Sequence, residues 1–328
     1  MDLNFSVKQR IFRNFFYWSV CFFCMFSLAG AGESHLSSDK AVFGEAEFVG
    51  NISNEKIDEA SGMAASHRRN DLLWVNNDSG NDAIIYALSK EGMGMGQVHL
   101  ANAKNIDWED MASFEWKNTP YLLIADTGDN KGKRKKRTLY IIEEPVVTAH
   151  GIFPKDVHIR WQIDFQYEDG PRDCEAVTVD VAAEQCLLLS KRDKCPQLYT
   201  LPLFPPPGQR IVTAKKIAQI STIPRPDIED IIQPYGRNRS QPTAMDITPD
   251  GQHLVILTYK HAYLYSKKNH RTWNSCFAAD PETIHLPLVG LGSLIQREGM
   301  CLSLDGQWLY LTSEKLPAPL YRLKVMLN

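Results

Sequence analysis

The chain has 328 residues, 44% hydrophobic and 23% charged, with a formal net charge of −3. That is the composition of a globular protein, and its charge excludes a general nucleic-acid binder. Seven cysteines are present, two of them, Cys21 and Cys24, near the N-terminus.

Residues 1–31 read as an export signal. Lys8, Arg10 and Arg13 form a basic start, Phe15 to Leu28 is almost wholly apolar, and Ala29-Gly30-Ala31 is a small-x-small cleavage site. The apolar run is shorter than the ~20 residues that a spanning helix needs. The expectation is therefore cleavage near Ala31, no membrane association afterwards, a secreted or periplasmic location and one domain over 32–328. Cys21 and Cys24 leave with the signal. Cys174, Cys186, Cys195, Cys276 and Cys301 remain, an odd number that allows at most two bridges and leaves their pairing open.

A short motif recurs through the rest of the chain. An acid or hydroxyl is followed by a small or acidic residue and then an apolar one, opening a run of strand formers. The copies are Ser61-Gly62-Met63, Glu109-Asp110-Met111, Glu175-Ala176-Val177, Thr243-Ala244-Met245 and Glu298-Gly299-Met300, spaced by 48, 66, 68 and 55 residues. Each interval is long enough for four short strands and their turns, the unit of a β-propeller.

The strands follow in chain order. The first interval offers Ser61–Ser66, Leu72–Val75, Ala83–Leu88 and Gln97–Leu100, and the second Glu109–Trp116, Tyr121–Ala125, Thr138–Ile142 and Val157–Phe165. The third offers Glu175–Val181, Cys186–Ser190, Gln197–Leu201 and Ile211–Ile220, and the fourth Thr243–Ile247, His253–Thr258, Ala262–Tyr265 and Thr283–Leu286. The last interval supplies three, Met300–Leu304, Gln307–Leu311 and Leu320–Val325; Ala46–Val49 at the other terminus is the available fourth. The expected fold is all-β, a five-bladed β-propeller of four-stranded antiparallel blades with an N-terminal strand closing the last blade. Six blades is the alternative, but the one further motif look-alike, Glu229-Asp230-Ile231, lies too close to Thr243 for a blade.

The first strand of each propeller blade lines the central channel. Ser61, Glu109, Glu175, Thr243 and Glu298 should therefore form a ring at one end of it. Three carboxylates facing one another repel and raise each other's pKa unless a cation sits among them. An all-oxygen set without His or Cys favours calcium. Lysines in the channel are the other way to relieve the repulsion.

At these residues the chain resembles an exported family of five-bladed propellers called SdiA-regulated, and more remotely the calcium-activated nucleotidases (apyrases). In the latter each blade gives one residue to a central calcium in the order Ser, Glu, Glu, Ser, Glu. Thr243 is the one departure. The resemblance covers the mature chain as repeat architecture, implies Ser61, Glu109, Glu175, Thr243 and Glu298 as calcium ligands, and extends to phytase-like and esterase-like propellers by analogy alone.

The loops between second and third strands should lie on the same face as the ring. They carry Asn77 and Asp78, then Asp126, Asp129 and Asn130 ahead of the basic run Lys131 to Arg137, then Lys191 and Arg192, Lys260, and Lys315. A cation ringed by basic loops suits a small anionic ligand, although such residues are also what turns are made of. Asp126-Thr127-Gly128-Asp129-Asn130 departs from the EF-hand pattern and is a weak second metal candidate. Motifs of serine hydrolases, zinc proteases and phosphate-loop enzymes are absent from the sequence.

Two readings stand. One is a monomeric binding module with a structural calcium and a polar face for a ligand or surface partner. The other is a calcium-dependent hydrolase of phosphoesters or other anionic esters, in which Asp78, Asp126 or Asp129 orients water and Lys191, Lys260 or Lys315 holds charge. The five tryptophans at strand positions, Trp108 among them, are expected to pack between blades.

Overall fold

A computed structural model describes residues 41–148, 150–233, 236–267, 272–287 and 296–327. The export-signal expectation lies outside the described residues. Among them, no helix is long and apolar enough to cross a membrane.

The chain begins with β1 (Val42–Phe43) and β2 (Glu47–Asn51). Four antiparallel meanders follow: β3 (Ala60–Ala65), β4 (Leu72–Asn77), β5 (Ile84–Ser89) and β6 (Gly94–Ala101); β7 (Trp108–Trp116), β8 (Thr119–Asp126), β9 (Arg137–Glu143) and β10 (Asp156–Tyr167); β11 (Cys174–Asp180), β12 (Gln185–Ser190), β13 (Gln197–Pro202) and β14 (Val212–Gln219); and β15 (Pro242–Ile247), β16 (His253–Thr258), β17 (Ala262–Ser266) and β18 (Glu282–Ile284). The last group is β19 (Arg297–Leu302), β20 (Trp308–Ser313) and β21 (Pro319–Met326), and its outer edge is taken by β1 and β2, both antiparallel to β21. The N-terminal strand therefore sits where the sequence places it, and the Arg322 Nε to Glu47 Oε2 contact of 2.9 Å accompanies the pairing.

Burial follows position within each meander. The inner strands β3, β11 and β19 are buried at every residue, because they are covered on both faces by neighbouring meanders. β3 accordingly reads as a run of small and apolar residues, whereas β11 and β19 bury charged residues at the motif. The outer strand β10 instead alternates exposed and covered residues over much of its length, the period of a half-solvated strand. It also pairs in parallel with β6 at Asp156↔His99 and with β14 at Phe165↔Val212, linking three meanders at their rims.

The core is divided among the junctions. Trp74 and Ile85 pack with Ile124 and Tyr140; Leu123 and Phe165 with Leu188 and Tyr199; Leu187 and Leu198 with Ile256 and Tyr263; Val255 and Leu264 with Leu309 and Leu323; and Tyr310 and Leu320 with Val75 and Leu88. The last junction joins the final meander to the first. Inner strands also touch in cyclic order, β3 on β7, β7 on β11, β11 on β15, β15 on β19 and β19 on β3. Each fully buried Leu, Ile or Phe in these junctions contributes about 1.5–3 kcal/mol relative to exposure.

Two departures from a plain meander are local. Glu229-Asp230-Ile231 falls in a short helix, α1 (Ile228–Ile231), capped reciprocally by Asp227 and Asp230. Its acids answer to the helix N-terminus, so the resemblance to the strand motif is accidental. A second short helix, α2 (Trp273–Cys276), lies between β17 and β18.

All five described cysteines are free thiols, buried except for the half-buried Cys195. Cys186 lies at the start of β12, opposite Leu201, whereas Cys195 lies in the turn beyond that strand's other end. Their separation along the hairpin explains why the two do not pair.

Candidate metal centre

Every inner strand breaks its ladder with β-bulge-like irregularity at the motif. The register shifts between Ala60 and Gly62, Trp108 and Met111, Cys174 and Ala176, Pro242 and Ala244, and Arg297 and Met300. Ser61, Glu109, Glu175, Thr243 and Glu298 lie inside those shifts, joined by Asp110 and Gly299 in the two longer ones. A bulge leaves its extra residue out of the ladder and re-aims the side chain. The small residue that follows is a packing requirement in two copies: a Cβ on Gly62 would come within 2.6 Å of Met111 N, and one on Gly299 within 2.7 Å of Thr312 Cγ2.

All five ring residues are at most 4% exposed. Ser61 Oγ lies 3.4 Å from Glu109 Oε2, within a weak hydrogen bond. Glu109, Asp173 and Glu175 each offer an oxygen within 4.8 Å of the others, and Asp78, Asp107 and Glu109 do the same, so Glu109 belongs to both groups. These acidic residues, buried except for the half-buried Asp78 and Asp107, can hold a metal ion.

Lys191 stands among the acids. Its ammonium contacts Glu175, lies 3.7 Å from Glu298 Oε1, and donates to Tyr259 Oη at 2.8 Å. Tyr259 in turn donates to Glu298. The sequence reading puts Lys191 at the rim; the structure puts it in the ring, because it directly follows β12 and is only 5% exposed.

The electrostatics show an excess of acid. Burial first, and then the Glu175 charge, holds the Glu109 carboxyl well above the usual carboxylate range. Burial does the same to Glu175, with Lys191 working against it and Glu298 adding to it. Lys191 is held above the ordinary lysine range by Glu298 and Glu175 although burial opposes this. Glu109, Asp173, Glu175 and Glu298 are four carboxylates facing two cations, Lys191 and the half-exposed Arg192, whose Nε lies 2.6 Å from Asp173 Oδ2. With all four ionised, a negative surplus of two is left. Thr243 Oγ1 and Glu298 Oε2 are buried without a hydrogen-bond partner among the described residues. Orphaned buried oxygens are costly and call for a donor or a cation.

The remaining face residues have other duties. Asn77 Nδ2 donates to Lys56 O at 2.7 Å, and half-buried Asp78 accepts from Ser79 N. Asp126 is paired with Arg134 at 2.7 Å, while Asp129 is paired with buried Arg137 and accepts Lys133 N and Arg134 N, each at 2.8 Å. Asn130 accepts from Arg192. Lys260 reaches Asp230 at 2.8 Å, and exposed Lys315 donates its backbone N–H to Asp58 O at 2.9 Å. Of the nine face residues, the structure brings Asp78 and Lys191 to the acid cluster and Arg192 to its edge. Asp126 and Asp129 hold the basic run in place. Trp108 is fully buried in the junction, its Nε1 donating to Lys104 O at 3.0 Å.

Sequence reasoning passed over Asp107, Asp173, Asp110 and Tyr259. Asp107 and Asp173 precede their motifs by two residues, a regularity visible at Asp107-x-Glu109 and Asp173-x-Glu175. Burial and then Asp78 push the Asp107 carboxyl up to about 6. Gly128 makes room for this group, since a Cβ there would overlie Glu109 Oε1 and stand 2.6 Å from Asp107 Oδ2.

No family model matches the chain, and no curated protein does. Solved structures similar to it include the PQQ-bound aldose sugar dehydrogenase of Streptomyces coelicolor, at 10% identity over 88% of this chain and 99% of that one with a TM-score of 0.49. Hydrazine synthase of Kuenenia stuttgartiensis matches at 12% identity over 82% and 71% with a TM-score of 0.40, and the Dos1 propeller at 9% over 80% and 67% with 0.36.

Proposed function

We propose that this chain is an exported calcium-binding propeller whose ring, Ser61, Glu109, Glu175, Thr243 and Glu298, holds a structural calcium beneath a polar ligand-binding face. The observation that carries it is the buried surplus of carboxylate together with Thr243 Oγ1 and Glu298 Oε2, which have no hydrogen-bond partner among the described residues. An all-oxygen donor set of this charge suits a hard divalent cation. Calcium supplies positive charge that keeps the buried carboxylates ionised and ties separate meanders together. Lys191 answers part of the same charge as the lysine alternative expects, so the reading rests on the carboxylates it leaves unanswered. The family resemblance of the motif order agrees with this reading.

The test is thermal unfolding and calorimetric titration of the protein with calcium and with chelator. Calcium at 100 times its Kd adds about 2.7 kcal/mol of stability, so melting should rise with calcium and the gain should vanish in a folded Glu175→Gln variant. A melting temperature indifferent to calcium and chelator sinks the proposal.

A second reading, a metal-dependent hydrolase of anionic esters, is favoured by one feature. Asp78 and Asp107 extend the cluster from buried Glu109 to the half-exposed mouth, and a carboxyl with its pKa near 6 suits proton transfer at neutral pH. Calcium-dependent turnover of nucleoside diphosphates or aryl esters, lost in Asp107→Asn, would establish it.

A further inference from the structure

The excursion between β14 and β15 and the edge of the fourth meander line a pocket of about 200 Å³. Its wall includes Arg225, Arg239, Lys260, His261, His285 and Asp230. The pocket opens beside the acid ring: Tyr259, which donates to Glu298, immediately precedes Lys260, and Arg297 Nη1 donates to Lys260 O at 2.9 Å.

Its charge is opposite to that of the ring. Asp230, 3% exposed, is shared between Arg239 Nη1 at 3.2 Å and Lys260 Nζ at 2.8 Å, and also belongs to the cap of α1. Exposed Asp227 lies 3.8 Å from Lys260. Against these two carboxylates stand Arg225, Arg239, Lys260 and, behind Lys260, Arg297. Arg297 is 2% exposed and donates to the carbonyls of Tyr259, Lys260 and Pro287, with no carboxylate among the described residues paired to it. The two imidazoles meet edge to face at 4.8 Å, and His261 Nδ1 is buried without a hydrogen-bond partner among the described residues. Burial, followed by His285, Lys260 and Arg297, pushes His261 down to about 4, with Asp230 working against it.

We infer that this pocket binds the phosphate group of a small phosphomonoester, or inorganic phosphate, through Arg225, Lys260, Arg239 and the imidazole edges of His261 and His285. Arg225, Arg239 and Lys260 stand in the lining against the single carboxylate of Asp230, a balance that suits a dianion, and guanidinium and ammonium donors form the stronger, charge-assisted kind of hydrogen bond with phosphate oxygens. The inference deepens the ligand-face part of the proposed function by giving that face a ligand class and a place. It does not require the ring cation.

The test is a titration of the protein with inorganic phosphate, in chelator, read from the imidazole signals of His261 and His285 by NMR, with His261→Gln fixing the assignment. The expected result is a saturable shift of both signals. Its affinity should fall at least tenfold in Arg225→Ala, an exposed position, and stay the same in Arg210→Ala, an exposed arginine of the β13–β14 turn. Absence of a saturable shift, or an unchanged affinity in Arg225→Ala, overturns the inference. Stabilisation by calcium without phosphate binding would leave the ring proposal standing and remove this one. Phosphate binding in a protein indifferent to calcium would do the reverse.

Discussion

Gly128 is the residue on which the outer half of the acid cluster depends. Any side chain there must displace Glu109 or Asp107, so Gly128→Ala should weaken the proposed calcium binding about tenfold or more, equivalent to roughly 1.4 kcal/mol, with little loss of fold; calorimetry against the parent protein checks this. Asp246 offers a prediction in pH. Burial pushes its carboxyl up to about 7 although Leu302 N and Ile247 N donate to it. A carboxyl raised in the folded state binds more protons there than in the unfolded chain, so stability falls as pH rises from about 4 to about 7. The slope from one such group reaches about 1.4 kcal/mol per pH unit. Asp246→Asn should remove that part of the slope, seen as a smaller change in denaturant midpoint between about pH 5 and pH 7 in chelator. An unchanged slope would show that Asp246 does not titrate in that window.

Among the elements, the outer edge of the last meander is the vulnerable one. β2 covers β21 through the pairs Glu47↔Arg322, Phe48↔Tyr321, Gly50↔Leu320 and Asn51↔Pro319. Removing residues 1–51 would bare that edge and loosen Ile52, which is buried in the junction with Leu320 and Ala318. An uncovered strand edge pairs with other chains. The truncated protein should lose several kcal/mol, on the order of a missing strand's hydrogen bonds and buried side chains, and should self-associate in light scattering. A truncated form that stays monomeric at the parent's midpoint would show that the edge needs no cover. The bulges belong to this scale as well: they let five inner strands, otherwise devoted to core packing, each carry a buried polar residue out of the ladder.

At the scale of the whole molecule, Asp110 joins three meanders. Its carboxylate, fully buried, accepts Val177 N at 2.9 Å and Met245 N at 3.0 Å from two neighbouring inner strands, as well as Met111 N at 2.9 Å. Asp110→Ala would leave buried backbone donors unpaired at about 1–3 kcal/mol each, so a loss of several kcal/mol in equilibrium unfolding is expected. Because the donors from Val177 and Met245 follow Glu175 and Thr243 by two residues, the same variant should also lower calcium affinity. A stable variant with unchanged affinity would remove Asp110 from any part in setting the ring.

The repeat fixed much of this from the residues alone. A motif returning at blade-length spacing, with strand formers and turn residues between, is a local signal, and it was enough to place the inner strands and the N-terminal strand on the last meander. Where long side chains end is not local. Lys191 reads as a turn lysine until β12 carries it inward among Glu175 and Glu298, and Asp129 reads as a free loop acid until Arg137 returns to it along β9. Asp173 joins the cluster only because neighbouring inner strands stand side by side. The sequence by itself determined the strand order and the polarity of the ring, because both depend on spacing and residue type. Only the tertiary structure decided which cations answer the ring's charge, because pairing depends on distances between segments that the chain brings together from far apart.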